Sequence, residues 1–153
     1  MKLIAHRGNL NGPNFLREND PSYIDEAINL GFDVEIDVRY NISEKKFYLG
    51  HDYSQYSVTL NWINQRMNSL WIHCKNMDSL YYFSSETKGY NYFWHQEDDF
   101  TLTSKNYIWT YPGKSYTPLS IIVLPEINTD IKLFNNLKLY KCFGICSDYV
   151  NEI

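Results

Sequence analysis

The stretch Phe32-Asp33-Val34-Glu35-Ile36-Asp37-Val38 alternates acidic with branched apolar residues. Side chains on a strand point to opposite faces with a period of two, so Asp33, Glu35 and Asp37 share one face and Val34, Ile36 and Val38 the other. Carboxylates gathered on one face repel one another and are costly to bury unless something positive stands between them. A hard divalent cation, Mg²⁺ or Ca²⁺, is the simplest such partner. A solvated strand face paired with Arg or Lys is the other reading of the same residues.

On either side of this strand the chain alternates short apolar or aromatic runs with amphipathic segments. Strands are expected at Lys2 to His6, Lys46 to Leu49, Leu70 to Lys75, Tyr92 to His95, Tyr107 to Tyr111, Ser120 to Pro125 and Cys142 to Cys146. The best helix is Asp20 to Leu30, with Asp20 as N-cap, Pro21 in the first turn, Ile24, Ala27 and Ile28 as a stripe, and Gly31 as a stop. Weaker helices are expected at Thr59 to Met67, Asn76 to Ser85 and Thr129 to Leu137. Such alternation predicts a single α/β domain, residues 1–153, built on a mainly parallel sheet whose chemistry gathers at the carboxyl ends of the strands. All four histidines, His6, His51, His73 and His95, fall at or just past an expected strand end.

The chain has 153 residues, 44% hydrophobic and 17% aromatic, a profile that supports a buried core and argues against disorder. Its net charge of −4, without a basic run, gives no footprint for a nucleic-acid backbone. The longest apolar run, Ile121 to Leu124, is far short of the ~20 residues of a transmembrane helix. Met1-Lys2 leads straight into the first strand without a signal-like apolar region, and the three cysteines are read as reduced, buried thiols. A cytoplasmic location is expected from both features.

Ile4-Ala5-His6-Arg7-Gly8, then Glu18-Asn19 ahead of a helix, then Glu35-Ile36-Asp37-Val38, then Gly50-His51-Asp52 follow one another within the first 52 residues. In order and spacing this set resembles the glycerophosphodiester phosphodiesterase family and, more broadly, the phosphatidylinositol-phospholipase-C-like barrel superfamily. The resemblance implies His6 and His51 as the acid/base pair, Glu35 and Asp37 as metal ligands, Glu18 near the metal or the glycerol, and Arg7 on phosphate. The family carries an acidic ligand two residues before a lysine on its third strand. Here Trp71-Ile72-His73-Cys74-Lys75 has His73 at that place, a softer ligand than Mg²⁺ or Ca²⁺ prefers. Lys75 joins Arg7 as a phosphate-side cation, since charge developing on phosphoryl oxygens calls for such partners.

The resemblance also implies a barrel. A complete (β/α)₈ barrel typically takes ~250 residues, so the expectation is a compact or trimmed (β/α)₈ TIM-barrel-like fold with several helices reduced to loops, or an incomplete barrel that dimerises. In the second half, aromatic residues near strand ends stand out, and Trp94 and Trp109 are the candidates for contact with a sugar or alcohol. The function expected is a metal-dependent phosphodiester hydrolase for a small or lipid-derived diester. A catalytically silent barrel that binds a phosphorylated or sugar ligand is the alternative, and a lyase that stops at a cyclic phosphate a third. The partner is a small-molecule phosphodiester rather than nucleic acid, and the sequence leaves the oligomeric state open.

Overall fold

The structure is a computed structural model that describes residues 1–130 and 140–153. Ten strands form one mixed, curled sheet, and three α-helices accompany them among the described residues. The strands are β1 (Lys2–His6), β2 (Asp33–Asn41), β3 (Lys46–Leu49), β4 (Tyr56–Val58), β5 (Leu70–Cys74), β6 (Tyr92–Phe93), β7 (Phe100–Leu102), β8 (Ile108–Thr110), β9 (Ser120–Val123) and β10 (Gly144–Ser147). The helices are α1 (Pro21–Asn29), α2 (Leu60–Arg66) and α3 (Met77–Ser85). The expected helix at Thr129 to Leu137 falls largely outside the described residues.

Parallel pairing runs β6-β5-β2-β1-β10-β9-β8. Two antiparallel additions complete the sheet: β3 and β4 branch from the second half of β2, and β7 lies on β8. This overturns the expected (β/α)₈ barrel. That fold needs a helix after each strand and a ladder that closes on itself, whereas here β9 follows β8 after a loop alone and, among the described residues, β7 pairs only with β8 and β6 only with β5. The curl therefore stops as a half-barrel. Its two flanks meet without a strand ladder: the Phe93 and Trp109 ring centroids lie 4.5 Å apart, and the Ser104 N–H donates to the Tyr92 carbonyl at 2.8 Å. Short strands explain the outcome, because β6 offers two residues and too few backbone groups to recruit another parallel neighbour.

Local signals start the helices where the chain needs to turn back. Asp20 accepts a hydrogen bond from Ser22 N and leaves Pro21 in the first turn of α1, where a missing N–H costs nothing. Asn76 and Ser79 form a reciprocal capping box at the start of α3. The helices cover the outer face of the β1–β2–β5 region, where Val34, Ile36, Val38, Leu49, Ile63 and Phe83 are buried. A second apolar cluster fills the concave side, made of Ile4, Trp71, Phe93, Trp109, Ile121, Val123 and Cys146. All three cysteines are free; Cys74 and Cys146 are buried, but Cys142 is half-exposed.

Phe83 anchors the outer core against Phe47, Tyr82 and Tyr90 and is fully buried. Replacing it with Ala should lower the unfolding free energy by about 3–5 kcal/mol, the range for a buried Phe truncation. Urea unfolding measures this, and a loss under about 1 kcal/mol would show that α3 is not docked as described.

Candidate functional site

Asp33, Glu35 and Asp37 all point to the concave side of the sheet, and all three are buried. Asp33 lies at the end where the parallel strands begin, ion-paired with Lys2 Nζ at 2.9 Å and accepting a hydrogen bond from the Trp71 indole N–H at 3.0 Å. Glu35 and Asp37 lie toward the carboxyl end, where the neighbouring strands deliver His6, His73 and Lys75.

Asp37 is fully buried and ringed by cations. Arg7 Nε stands 2.9 Å from its Oδ2, His73 Nδ1 3.2 Å and Lys75 Nζ 3.9 Å from its Oδ1. Asn19 closes the ring: its amide donates to Asp37 Oδ2 and its oxygen accepts from the Asp37 backbone N–H, each at 2.9 Å. Burial alone would raise the Asp37 carboxyl, but His73 and Arg7 overcome it and hold the group far below the usual carboxylate range.

His73 Nε2 lies 3.1 Å from the His95 carbonyl oxygen, which can only accept, so Nε2 carries a proton. Nδ1 therefore faces Glu35 at 3.6 Å and Asp37 at 3.2 Å. Burial lowers the ring's proton affinity, but Asp37 and Glu35 outweigh it and raise the pKa to about 9. One donor atom from each of Glu35, Asp37 and His73 falls within 4.8 Å of the others, a separation that oxygen and nitrogen ligands of one cation adopt. Glu35 Oε2 is buried without a hydrogen-bond partner. The donor set fits a divalent ion, and the His73 ring follows the pattern in which a ligating imidazole donates its other N–H to a backbone carbonyl.

A second constellation flanks this one. His6 Nδ1 is 2.7 Å from Asp148 Oδ1, so that nitrogen is the donor, and Nε2 is turned toward Glu35 at 4.0 Å. Asn9 donates to the same Asp148 oxygen at 2.8 Å, and the Asp148 backbone N–H donates to Glu126. Burial works against protonation of His6, but the Asp148 hydrogen bond and the Glu35 charge prevail and raise its pKa.

His6, Arg7, Glu35, His51, His73 and Lys75 line one cleft of about 350 Å³. His51 sits at its exposed rim, on the turn after β3, with Nδ1 2.7 Å from Asp52. Gly50 makes that turn possible: its φ is +144°, and a Cβ there would fall 2.2 Å from the Tyr53 carbonyl. Glu18 stands apart from the Glu35–Asp37–His73 group; it accepts from Arg7 at 3.0 Å and from Asn9 at 3.1 Å. Trp109 lines the cleft as a buried floor, whereas Trp94 packs against the outer core. Alternation accounts for this, since Phe93 and His95 point inward and Trp94 between them points out.

Sequence reasoning did not single out Asn9 or assign roles to Asn19 and Asp148. Asn19 carried a signal, an Asn directly before a helix cap, and it adopts φ +63°, a left-handed conformation that Asn tolerates better than most residues. Asp148 lies 142 positions from His6 and only the adjacency of the first and last strands joins them.

Comparison of the chain with protein-family models, with curated proteins and with solved structures finds no match. No helix among the described residues is long and apolar enough to cross a membrane.

The His6–Asp148 contact predicts a pH effect in metal-free protein. Because His6 is raised above its ordinary value of 6.5, its contribution to stability is complete below that pH and is lost as pH rises through the folded-state pKa. Asp148→Asn should lower the His6 pKa in a ¹H–¹⁵N titration and flatten this part of the stability profile. An unchanged His6 titration would show that Asp148 does not set its protonation.

Proposed function

We propose that the chain is a divalent-metal-dependent phosphodiester hydrolase, as its resemblance to the glycerophosphodiester phosphodiesterase family implies. The observation that carries this reading is the convergence of Glu35, Asp37 and His73 beside His6 in the cleft that His51 overhangs. Glu35, Asp37 and His73 would hold the ion. When bound it supplies positive charge to the phosphoryl oxygens, lowering the cost of the charge that builds on them.

The chain's own groups supply the proton transfers. His6, whose Nδ1–H is held by Asp148, presents Nε2 to take a proton from an attacking water. His51, at the rim, gives a proton to the departing alcohol oxygen. The bond from phosphorus to the water oxygen forms, the bond to the alcohol oxygen breaks, and a phosphomonoester and an alcohol leave. Lys75 and Arg7 orient the phosphate from the same side, although Arg7 Nε and Nη1 are already committed to Asp37 and Glu18.

One observation favours a second reading. The protonated His73 ring can itself stand as the cation between Glu35 and Asp37, and the site would then bind a phosphorylated ligand without metal or turnover. The two readings separate in one assay. Hydrolysis of bis(p-nitrophenyl) phosphate should require Mg²⁺ or Mn²⁺, stop on chelation, and fall about 10²- to 10⁴-fold in His6→Ala, the usual worth of a positioned acid or base, while metal binding persists. Asp37→Asn should lose metal binding and turnover together. Absence of any metal-dependent turnover, with ligand binding retained, decides for the second reading.

A further inference from the structure

The cleft has two unlike walls. The ends of β1, β2 and β5, with the turn after β3, supply the charged side chains described above. The opposite wall, from the ends of β8 and β9, presents Tyr111, Pro112, Val123, Leu124 and Ile127 above the Trp109 floor, with no charged side chain among the described residues of that wall that line the cleft; His95 and Gln96, which follow β6, also line it. Tyr111 is 49% and Ile127 65% exposed, so apolar surface faces a charged site across open space. Such surface next to a polar site marks a place where an apolar group is bound.

The backbone is strained in order to build that wall. Leu124 adopts φ +41°, ψ +54°, a left-handed conformation that is uncommon for a residue other than Gly, Asn or Asp. Its N–H donates to the Cys146 carbonyl at 2.7 Å, which ties it to β10, and its own carbonyl accepts from Ile127 at 3.1 Å. This sharp turn ends β9 and starts the 3₁₀ turn Pro125–Ile127, which brings Ile127 to the cleft. Strain held in place by its surroundings at a cleft is a pointer to function.

We propose that the substrate is a phosphodiester in which the substituent retained on phosphorus is a small apolar group, an aryl ring or a short alkyl chain, rather than a hydroxyl-rich alcohol. This rests on the hydrolase reading above and narrows it. The phosphate lies against the charged wall, and the apolar substituent covers Tyr111, Leu124 and Ile127. The volume of about 350 Å³ is near the lower end for ligand pockets. It accommodates a phosphate with one compact substituent.

Two diesters with the same p-nitrophenolate leaving group test this, one retaining a phenyl and the other a glyceryl substituent. With Mn²⁺ and the full chain, kcat/KM should favour the phenyl diester by about tenfold or more, in line with what an apolar pocket discriminates. Ile127→Asp should bring the ratio toward one. Equal rates, a preference for the glyceryl diester, or a ratio untouched by Ile127→Asp overturns the proposal. If neither diester is cleaved, the hydrolase reading fails by itself. Calorimetric binding of phenyl phosphate against glycerol phosphate then decides this inference: tighter phenyl phosphate supports it, and equal or weaker binding overturns it.

Discussion

Two carboxylates two residues apart on one buried strand are the constraint around which this protein is arranged. Strand alternation sends Glu35 and Asp37 to the same concave side of the sheet, where both are buried. Leaving either as an uncompensated buried ion would cost several kcal/mol. The surrounding groups read as responses to that cost. Arg7, in a left-handed conformation, is fixed through its own N–H on the Glu35 carbonyl and through its carbonyl, which accepts from Asn19. Its side chain is thereby delivered to Asp37. His73 and Lys75 arrive from the parallel neighbour, two residues apart and therefore on one side of β5.

The path of the chain around β2 follows from the same need. β5 occupies one edge of β2 over Val34 to Val38, so β1 and β3 share the other edge. Between the end of β1 and the start of the β3 pairing that edge is open at Asp37. Asn19 fills it, using its side chain as a strand would use its backbone, while Gly50 N donates to the Asp37 carbonyl. One residue thus completes a ladder and satisfies a buried carboxylate. It also ties the loop before α1 to the site. The half-barrel is sufficient because the strands that carry the charged wall are all adjacent.

Much of this was legible in the sequence, for physical reasons that can be named. β1 and β3 were expected at the bounds observed, and α1 begins at the Asp20-Pro21 signal, because strong periodicity and caps act locally. β4 and β7 were missed. Each is three residues long and pairs antiparallel at an edge, so a partner rather than its own pattern makes it a strand. The barrel expectation failed for a related reason: closure depends on whether distant strands reach one another, and β6 is too short to show that in its residues. In the site, residues of one strand were placed by period-two reasoning, as the shared inward face of Glu35 and Asp37 illustrates. Asp148, Asn9 and the tautomer of His73 depend on contacts across 142, 139 and 22 positions, which alternation cannot supply.

The proposed function requires that a divalent ion can take the place between Glu35, Asp37 and His73. An anomalous-difference map from crystals soaked in Mn²⁺ tests it directly. The account predicts a peak ~2.0 to 2.6 Å from a carboxylate oxygen of both Glu35 and Asp37, with His73 Nδ1 turned to it and Nε2 still on the His95 carbonyl. A map with no peak there, and His73 Nδ1 still lying against Asp37, would contradict it and leave an imidazolium as the permanent cation of the site.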